Sequence, residues 1–292
     1  MPIRRVVIGP LDLLVVVRPG SFLDRAWKGL MGLLGRRPPA AAEGVVAPPT
    51  STGDAEADAL ARRVAEVQWY HTIDLGHGVV TPGAFDHRPH LHQYELPERV
   101  DGLRVLDVAT FDGFWAFEFE RRGAAEVVGI DVARRGDLDL LPAVRARLSQ
   151  EELDAPVGRG FEVAKEALGS SVRRERLSVY DLSPERVGTF DIVYMGSLLL
   201  HLTCPIKALQ NVASVTKGYA LIAECFHPVV PDKLAHYQGG RQESVWWFFG
   251  LECLEEMIRD AGFSRVERHR VFGVPERGDH HLRWHAVFKA YK

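Results

Sequence analysis

Two carboxylates separated by one strand-to-strand crossover carry most of the chemistry legible in this chain. Asp107 lies near the end of the apolar run Val105-Leu106-Asp107-Val108, and the turn Ala109-Thr110-Phe111-Asp112-Gly113 follows it. Asp131 ends a second apolar run, Val127-Val128-Gly129-Ile130. An apolar run closed by an acid fits a parallel strand covered on both faces, because such a strand cannot alternate polar and apolar residues. The amphipathic stretch from Gly113 to Arg122 reads as the crossover helix between them. In open α/β sheets, ligands bind at the carboxyl ends of the strands near the topological switch point. A carboxylate placed there can accept both protons of a vicinal diol, so Asp131 is the best single candidate for a ribose contact.

The elements that must hold this pair continue the alternation. Helical segments are expected around Leu140 to Leu148 and Gly160 to Leu168, then a short strand near Leu177 to Tyr180. A strand from Phe190 to Met195, a helix from Pro205 to Val215 and a strand from Tyr219 to Cys225 come next. Helix Gly250 to Ala261 and the hairpin-like strands Arg265 to Val271 and Leu282 to Ala290 finish the pattern. A mainly parallel sheet with one late antiparallel strand is the expected α/β architecture.

The loop Asp107 to Gly113 occupies the place of the Asp-x-Gly-x-Gly-x-Gly loop of class I S-adenosylmethionine (SAM) dependent methyltransferases, and Asp131 falls where their ribose acid lies. Tyr180-Asp181 and Phe190-Asp191-Ile192-Val193-Tyr194 resemble the third and fourth motifs of that superfamily. Within it, Trp69 to Gly76 and Gly196 to His201 resemble the branch containing the tRNA uridine-34 (5-oxyacetic acid pathway) methyltransferase and its small-molecule relatives. The resemblance runs from about Val67 to Tyr291. It implies a seven-stranded, mostly parallel Rossmann-like methyltransferase sheet with helices on both faces, and SAM as cofactor. The implied cofactor contacts are Asp107, Ala109, Thr110, Phe111 and Gly113 in the loop, Asp131 with Val132, Tyr180 with Asp181 beside the adenine, and Met195, Gly196 and Ser197 after the fourth strand. Tyr70 and His71 belong to a segment that, in relatives, folds over the methionine moiety.

The loop departs from its relatives. Ala109 and Phe111 stand where glycine is usual. Alanine adds one methyl to a close approach, whereas Phe111 is expected to avoid positive φ and to need a differently shaped turn. A degenerate site that binds no cofactor, on a binding or scaffold protein, is therefore the alternative from another class. For Asp181 the ordinary alternative is a helix cap.

Methyl transfer from a sulfonium needs alignment in a dry pocket, and a base only where the acceptor must lose a proton. His201 is the first candidate base, with a satisfied core histidine as its ordinary reading. Glu224 with His227 after the fifth strand, and Tyr70, are the further catalytic candidates. The cluster Trp246-Trp247-Phe248-Phe249 offers Trp246, Trp247 and Phe249 as walls of an acceptor pocket, or simply as loop packing. The histidines between His71 and His92 match no metal-binding spacing, and no metal is expected.

The 292 residues are 46% hydrophobic and 26% charged with a net charge of −3, enough for a full core but with no general electrostatic handle for nucleic acid. Arginine clusters at Arg134-Arg135, Arg145 with Arg147, and Arg173-Arg174 with Arg176 would make a basic patch only if the fold gathered them. Three widely spaced cysteines read as reduced thiols, and no apolar run reaches transmembrane length, so a cytoplasmic protein is expected. Three regions are expected. Residues 1–53 form an extension with an amphipathic helix over Phe22 to Leu34 and a Pro/Ala-rich linker; residues 54–100 form a helical cap or lid whose first helix Asp54 caps; residues 101–292 form the SAM-binding core. The helix would pack on the core, mediate a homodimer, cover the site or touch a membrane.

In the tRNA-modifying branch a lysine stands near the position of His71 and a tyrosine where Leu200 does. Their absence points to ordinary SAM rather than its carboxylated form. With the negative net charge and the aromatic loop, the preferred partner is a small, partly apolar acceptor of specialised metabolism; tRNA wobble-uridine modification is the alternative.

Overall fold

The computed structural model describes residues 3–8, 11–16, 54–239, 244–278 and 282–292. The chain divides into two compact units, Met1–Val45 and Val46–Lys292. In the first, β1 (Ile3–Ile8) and β2 (Leu11–Val16) pair antiparallel. The expected helix over Phe22 to Leu34 and the linker after it lie outside the described residues.

The second unit begins with α1 (Ala55–Ala65), whose first turn is closed by Asp54 accepting the backbone N–H groups of Glu56 and Ala57. Then come β3 (Arg104–Val108), α2 (Phe114–Arg121), β4 (Glu126–Asp131), α3 (Arg159–Leu168), β5 (Arg173–Arg176), β6 (Phe190–Gly196), α4 (Pro205–Val215) and β7 (Thr216–Cys225). After β8 (Ala235–Tyr237) and β9 (Trp247–Phe249), a small antiparallel pair, α5 (Leu251–Asp260), β10 (Arg265–Pro275) and β11 (Leu282–Tyr291) complete the unit.

Seven strands form one sheet in the order β10-β11-β7-β6-β3-β4-β5. The pairs β3–β4, β4–β5, β3–β6 and β6–β7 are parallel, and β11 runs antiparallel to both β7 and β10. The sheet is therefore of the expected α/β class. The chain winds outward from β3 through β4 to β5, then returns to the other side of β3 for β6. That reversal leaves a crevice above the carboxyl ends of β3 and β6.

Alternate strand residues serve two cores, which is why the strands read as continuous apolar runs. Val105, Val127, Ile192 and Tyr194 pack under α1, α2 and α3, while Leu106, Val128, Val193 and Met195 pack under α4 and α5. The short strand expected at Leu177 to Tyr180 is displaced. The strand is the charged Arg173–Arg176, and Val179–Asp181 form a 3-10 turn. As the edge of the sheet, β5 pairs only with β4 and need not be apolar. The helix expected over Leu140 to Leu148 shrinks to one turn, Pro142–Arg145.

Arginines of the three clusters come together around residues 132–136, where Arg145 donates to the Gly136 carbonyl, but several of them are paired with acids. Arg134 pairs with Asp137 and Asp154, Arg173 with Glu126 and Glu175, and Arg174 donates to the Val132 carbonyl. No helix among the described residues is long and apolar enough to cross a membrane.

One glycine ties the sheet to the loop above it. Gly129, paired with Asp107 across β3 and β4, lies under Thr110, and a Cβ there would stand 2.8 Å from the Thr110 methyl. Gly129→Ala is expected to lower stability by about 1–2 kcal/mol, the cost of overpacking a closed contact, as a shift in the chemical-denaturation midpoint.

Candidate active site

The loop between β3 and α2 adopts the backbone that its sequence argued against. Ala109 (φ 59°), Phe111 (φ 49°) and Gly113 (φ 91°) are all left-handed. Phe111 was expected to avoid this region; it is held there because its N–H donates to Asp131 Oδ2 at 2.9 Å while Thr110 N–H donates to the Ile130 carbonyl at 3.0 Å. Its ring, 41% exposed, lies edge-on to Tyr70 at 5.8 Å rather than in the core. Non-glycine residues held at positive φ concentrate where function over-determines the backbone. Ala109→Gly is expected to raise stability by about 0.5–1 kcal/mol, because relief of the left-handed alanine exceeds the added unfolded-state entropy. A thermal or urea melt reads this directly.

The loop also clasps the segment before the sheet. Asp112, buried, accepts the N–H groups of Tyr70 and His71 through Oδ2 at 2.9 Å each and bonds His71 Nδ1 through Oδ1. The acid inside the glycine-motif position thus fastens Tyr70 and His71 over the end of β3. Thr81 tightens the segment from within: its hydroxyl donates to the His71 carbonyl and accepts the Ile73 N–H.

Beneath this clasp lies a cavity of about 330 Å³ at the switch point, within the range of small-molecule sites. One end is formed by Ile130, Asp131, Val132, Leu138, Ser178 and Val179, the other by Tyr70, His71, His87, Tyr94, Trp115 and Tyr194. The rings of the second end are in mutual contact, with Tyr94–Trp115 at 4.4 Å, Trp115–Tyr194 at 4.7 Å and His87–Trp115 at 5.2 Å. Four acids, Asp107, Asp131, Asp137 and Asp139, line the cavity, and among the described residues no lysine or arginine does.

Two buried polar atoms on the wall have no hydrogen-bond partner among the described residues, Asp107 Oδ2 and Tyr194 Oη. Burial pushes the Asp107 carboxyl up to about 7 and the Tyr194 phenol well above its usual value. Asp131 is also raised by burial, against the opposing hydrogen bonds from the Phe111 and Val132 N–H groups. Unpaired buried acceptors are costly, and a ligand that supplies a cation or donors there recovers that cost.

Of the residues singled out in the sequence, Tyr70, His71, Asp107, Ala109, Phe111, Asp131, Val132, Tyr180, Gly196, Ser197 and His201 line the cavity. Others are placed elsewhere. Thr110 packs on Gly129, Gly113 is the residue before α2, and Met195 is buried between the sheet and α4. Asp181 is exposed on the turn after β5, while Ser178 and Val179 face the cavity instead; moving the strand four residues earlier changes which residues reach it. Glu224 does not line the cavity: it accepts the N–H groups of Leu198 and Leu199, and burial raises it to about 8. His227 stacks on Phe248 at 4.5 Å.

The tryptophans brace loops. Trp246 Nε1 donates to the Asp139 carbonyl at 2.7 Å and Trp247 Nε1 to the Leu202 carbonyl at 3.0 Å, while Phe249 is buried in the second core. His201 bonds the Ser244 carbonyl through Nδ1, and burial lowers its pKa. Tyr180 spends its hydroxyl on Asp139. Asp112, His87, Tyr94, Trp115 and Tyr194 had not been singled out as site residues. The signal that bore on them was the density of histidine and aromatic residues between His71 and Tyr94, which spacing alone does not direct inward. No group of three or more His, Cys, Asp or Glu side chains among the described residues is arranged to hold a metal.

A doubly wound sheet with a cavity at its switch point, acids at the ends of β3 and β4 and a strained loop between them is the Rossmann-like architecture. Residues 86–268 match the methyltransferase-domain family, and the chain belongs to it. No curated protein matches the chain. Among solved structures it is similar to the N-terminal domain of EvdMO1 determined in the presence of SAH and D-fucose, at 15% identity and a TM-score of 0.53, covering 82% of this chain and 98% of that one. It is likewise similar to EvdMO1, at 16% identity and a TM-score of 0.51, over 81% of this chain and 47% of that one. Magnesium protoporphyrin IX methyltransferase (ChlM) from Synechocystis PCC 6803 with bound SAM is similar at 16% identity and a TM-score of 0.42, over 66% and 71% of the two chains. The two likenesses to EvdMO1 are of fold.

Proposed function

We propose that this protein binds SAM in the switch-point cavity and transfers its methyl group to a small, partly apolar acceptor by in-line displacement. The observation that carries the reading is the pair of acids on the cavity wall: Asp131 at the end of β4, and Asp107 at the end of β3 with an unpaired buried oxygen. Asp131 would take the ribose hydroxyls, and Asp107 the ammonium of the methionine moiety. Val132, Leu138, Ser178 and Val179 would flank the adenine. Residues 54–100, fastened by Asp112, would act as the cap that keeps water out. When bound, the cofactor supplies an electrophilic methyl on a sulfonium. The residues at the aromatic end then have to exclude water and orient the acceptor.

Support for a small acceptor over tRNA comes from charge. Among the described residues the cavity wall carries acids and no lysine or arginine, and Arg134 and Arg173 are paired with acids, which disfavours a polyanion at the cavity. Of the catalytic candidates, His201 and Tyr70 are the two on the cavity wall and are the residues proposed to touch reactants.

Calorimetric titration with SAM and S-adenosylhomocysteine (SAH) tests the cofactor, with micromolar binding expected. Cell extract supplied with methyl-labelled SAM should yield a labelled small product. Methylation of bulk tRNA with no small-molecule product would overturn the acceptor class, and absence of SAM and SAH binding would favour a degenerate scaffold.

A further inference from the structure

Ser197 sits at the aromatic end of the cavity in a conformation that its own sequence does not favour. It follows β6 at φ 51°, with its N–H given to the Ala223 carbonyl at 3.0 Å, and the next two N–H groups are held by Glu224. Its hydroxyl lies 3.0 Å from His285 Nε2, on the antiparallel strand β11, behind the cavity wall. His285 is itself wedged against Phe272 at 5.7 Å and Tyr94 at 6.2 Å.

The direction of this hydrogen bond follows from the other side of the ring. His285 Nδ1 is 2.8 Å from the Arg283 carbonyl, which can only accept, so Nδ1 carries the proton. Burial lowers the His285 pKa to about 4, so near neutral pH the ring holds that single proton and Nε2 presents a lone pair. Nε2 must then accept, and the Ser197 hydroxyl donates to it. The Cys225 thiol, 3.4 Å from Nε2, is the weaker competing donor, and burial raises it to about 11 so that it stays protonated. The same thiol lies 3.5 Å from Ser197 Oγ and can take up one of its lone pairs; with its one proton spent on His285, Ser197 Oγ has only a lone pair to offer the cavity.

We infer that the Ser197–His285 pair makes Ser197 an obligate hydrogen-bond acceptor that selects methyl acceptors presenting an O–H or N–H group at the aromatic end of the cavity, over acceptors with only C–H there. Ser197 is the specificity residue and His285 the residue that positions its hydroxyl. A serine free to rotate would donate or accept and would discriminate far less. The inference rests on the proposed SAM-dependent function and narrows its acceptor class.

The experiment uses the full chain saturated with SAH, titrated with phenol and with toluene, which differ by hydroxyl against methyl on the same ring. In the wild type, the phenol-to-toluene affinity ratio is expected to exceed that of Ser197→Gly by about fivefold, the worth of one neutral hydrogen bond. Glycine is the first choice of variant because it keeps the positive φ; Ser197→Ala should give the same ratio in a less stable protein. His285→Phe should lower the ratio while Ser197 remains, since the hydroxyl is then free to turn. Nitrogen NMR of His285 should show a neutral Nδ1–H ring at pH 6. A ratio unchanged in both Ser197 variants overturns the inference, as does a wild type that binds SAH but neither probe at millimolar concentration. So does a Ser197→Gly variant that loses SAH rather than phenol, which would assign the hydroxyl to the cofactor. Failure of the wild type to bind SAH at all sinks the SAM reading instead, and is thereby distinguished.

Discussion

Asp131→Ala is expected to weaken SAH binding at least about 100-fold, to the edge of calorimetric detection, in a protein whose far-ultraviolet circular dichroism is unchanged. The carboxylate has two tasks. Its oxygens accept the N–H groups of Phe111 and Val132, which shape the loop over β3, and it faces the cavity where a ribose diol would lie. Losing charge-assisted hydrogen bonds to two hydroxyls costs about 1.5–3 kcal/mol each at most, and the loop loses its tether besides. Asp131→Asn separates the tasks. Its amide oxygen can keep the Phe111 contact, so a loss of about tenfold is expected, with the loop intact. An alanine variant that binds SAH as well as the wild type would remove Asp131 from the cofactor site and with it the main support for the proposed function.

SAM and SAH affinity is expected to fall by about tenfold per pH unit on going from pH 7 to pH 5, and Asp107→Asn should bind weakly with little pH dependence. Burial lifts the Asp107 carboxyl from 3.8 to about 7, so below that pH the apo-protein holds a proton on the group that should pair with the ligand ammonium. Binding must expel that proton, and each pH unit of acidity makes this about 1.4 kcal/mol harder. For stability of the apo-protein the sign is opposite. Between about 4 and 7 the folded state binds more protons at Asp107 than the unfolded chain, so its contribution is complete at low pH and is lost as the pH rises through about 7. Glu224, raised to about 8, adds to the same trend. Burial lowers His87, His201, His227 and His285, which opposes this trend until the unfolded histidines are neutral, so in parallel melts with and without SAH the apo midpoint should fall with pH only above about 7, while the stabilisation by ligand grows from pH 5 to 7. Ligand stabilisation that is flat across this range would show that Asp107 does not meet the ammonium.

Much of the frame was legible before any coordinates. The runs ending at Asp107 and Asp131, and those from Phe190 and Tyr219, announced themselves because two-sided burial leaves no polar alternation to obscure them. Asp54 and Pro205 marked helix starts by chemistry that acts within one turn. The edge strand Arg173–Arg176 was invisible for the converse reason, since a strand paired on one side and exposed can be made of charges.

The amino-acid sequence by itself determined the α/β class, the alternation of elements and the two acids at the strand ends, all of which depend on hydrophobic period and local capping. Tertiary structure alone decided which side chains share the cavity. It turned the expected objection to Phe111 into a strained left-handed residue tied to Asp131, and it made Asp112 the clasp for Tyr70 and His71. It also withdrew Glu224, His227 and the tryptophans to bracing duties, and brought His285 from the last strand behind Ser197. These placements depend on contacts between residues 20 to 107 positions apart, where backbone hydrogen bonds and the packing of specific rings outweigh the local preferences that a sequence displays.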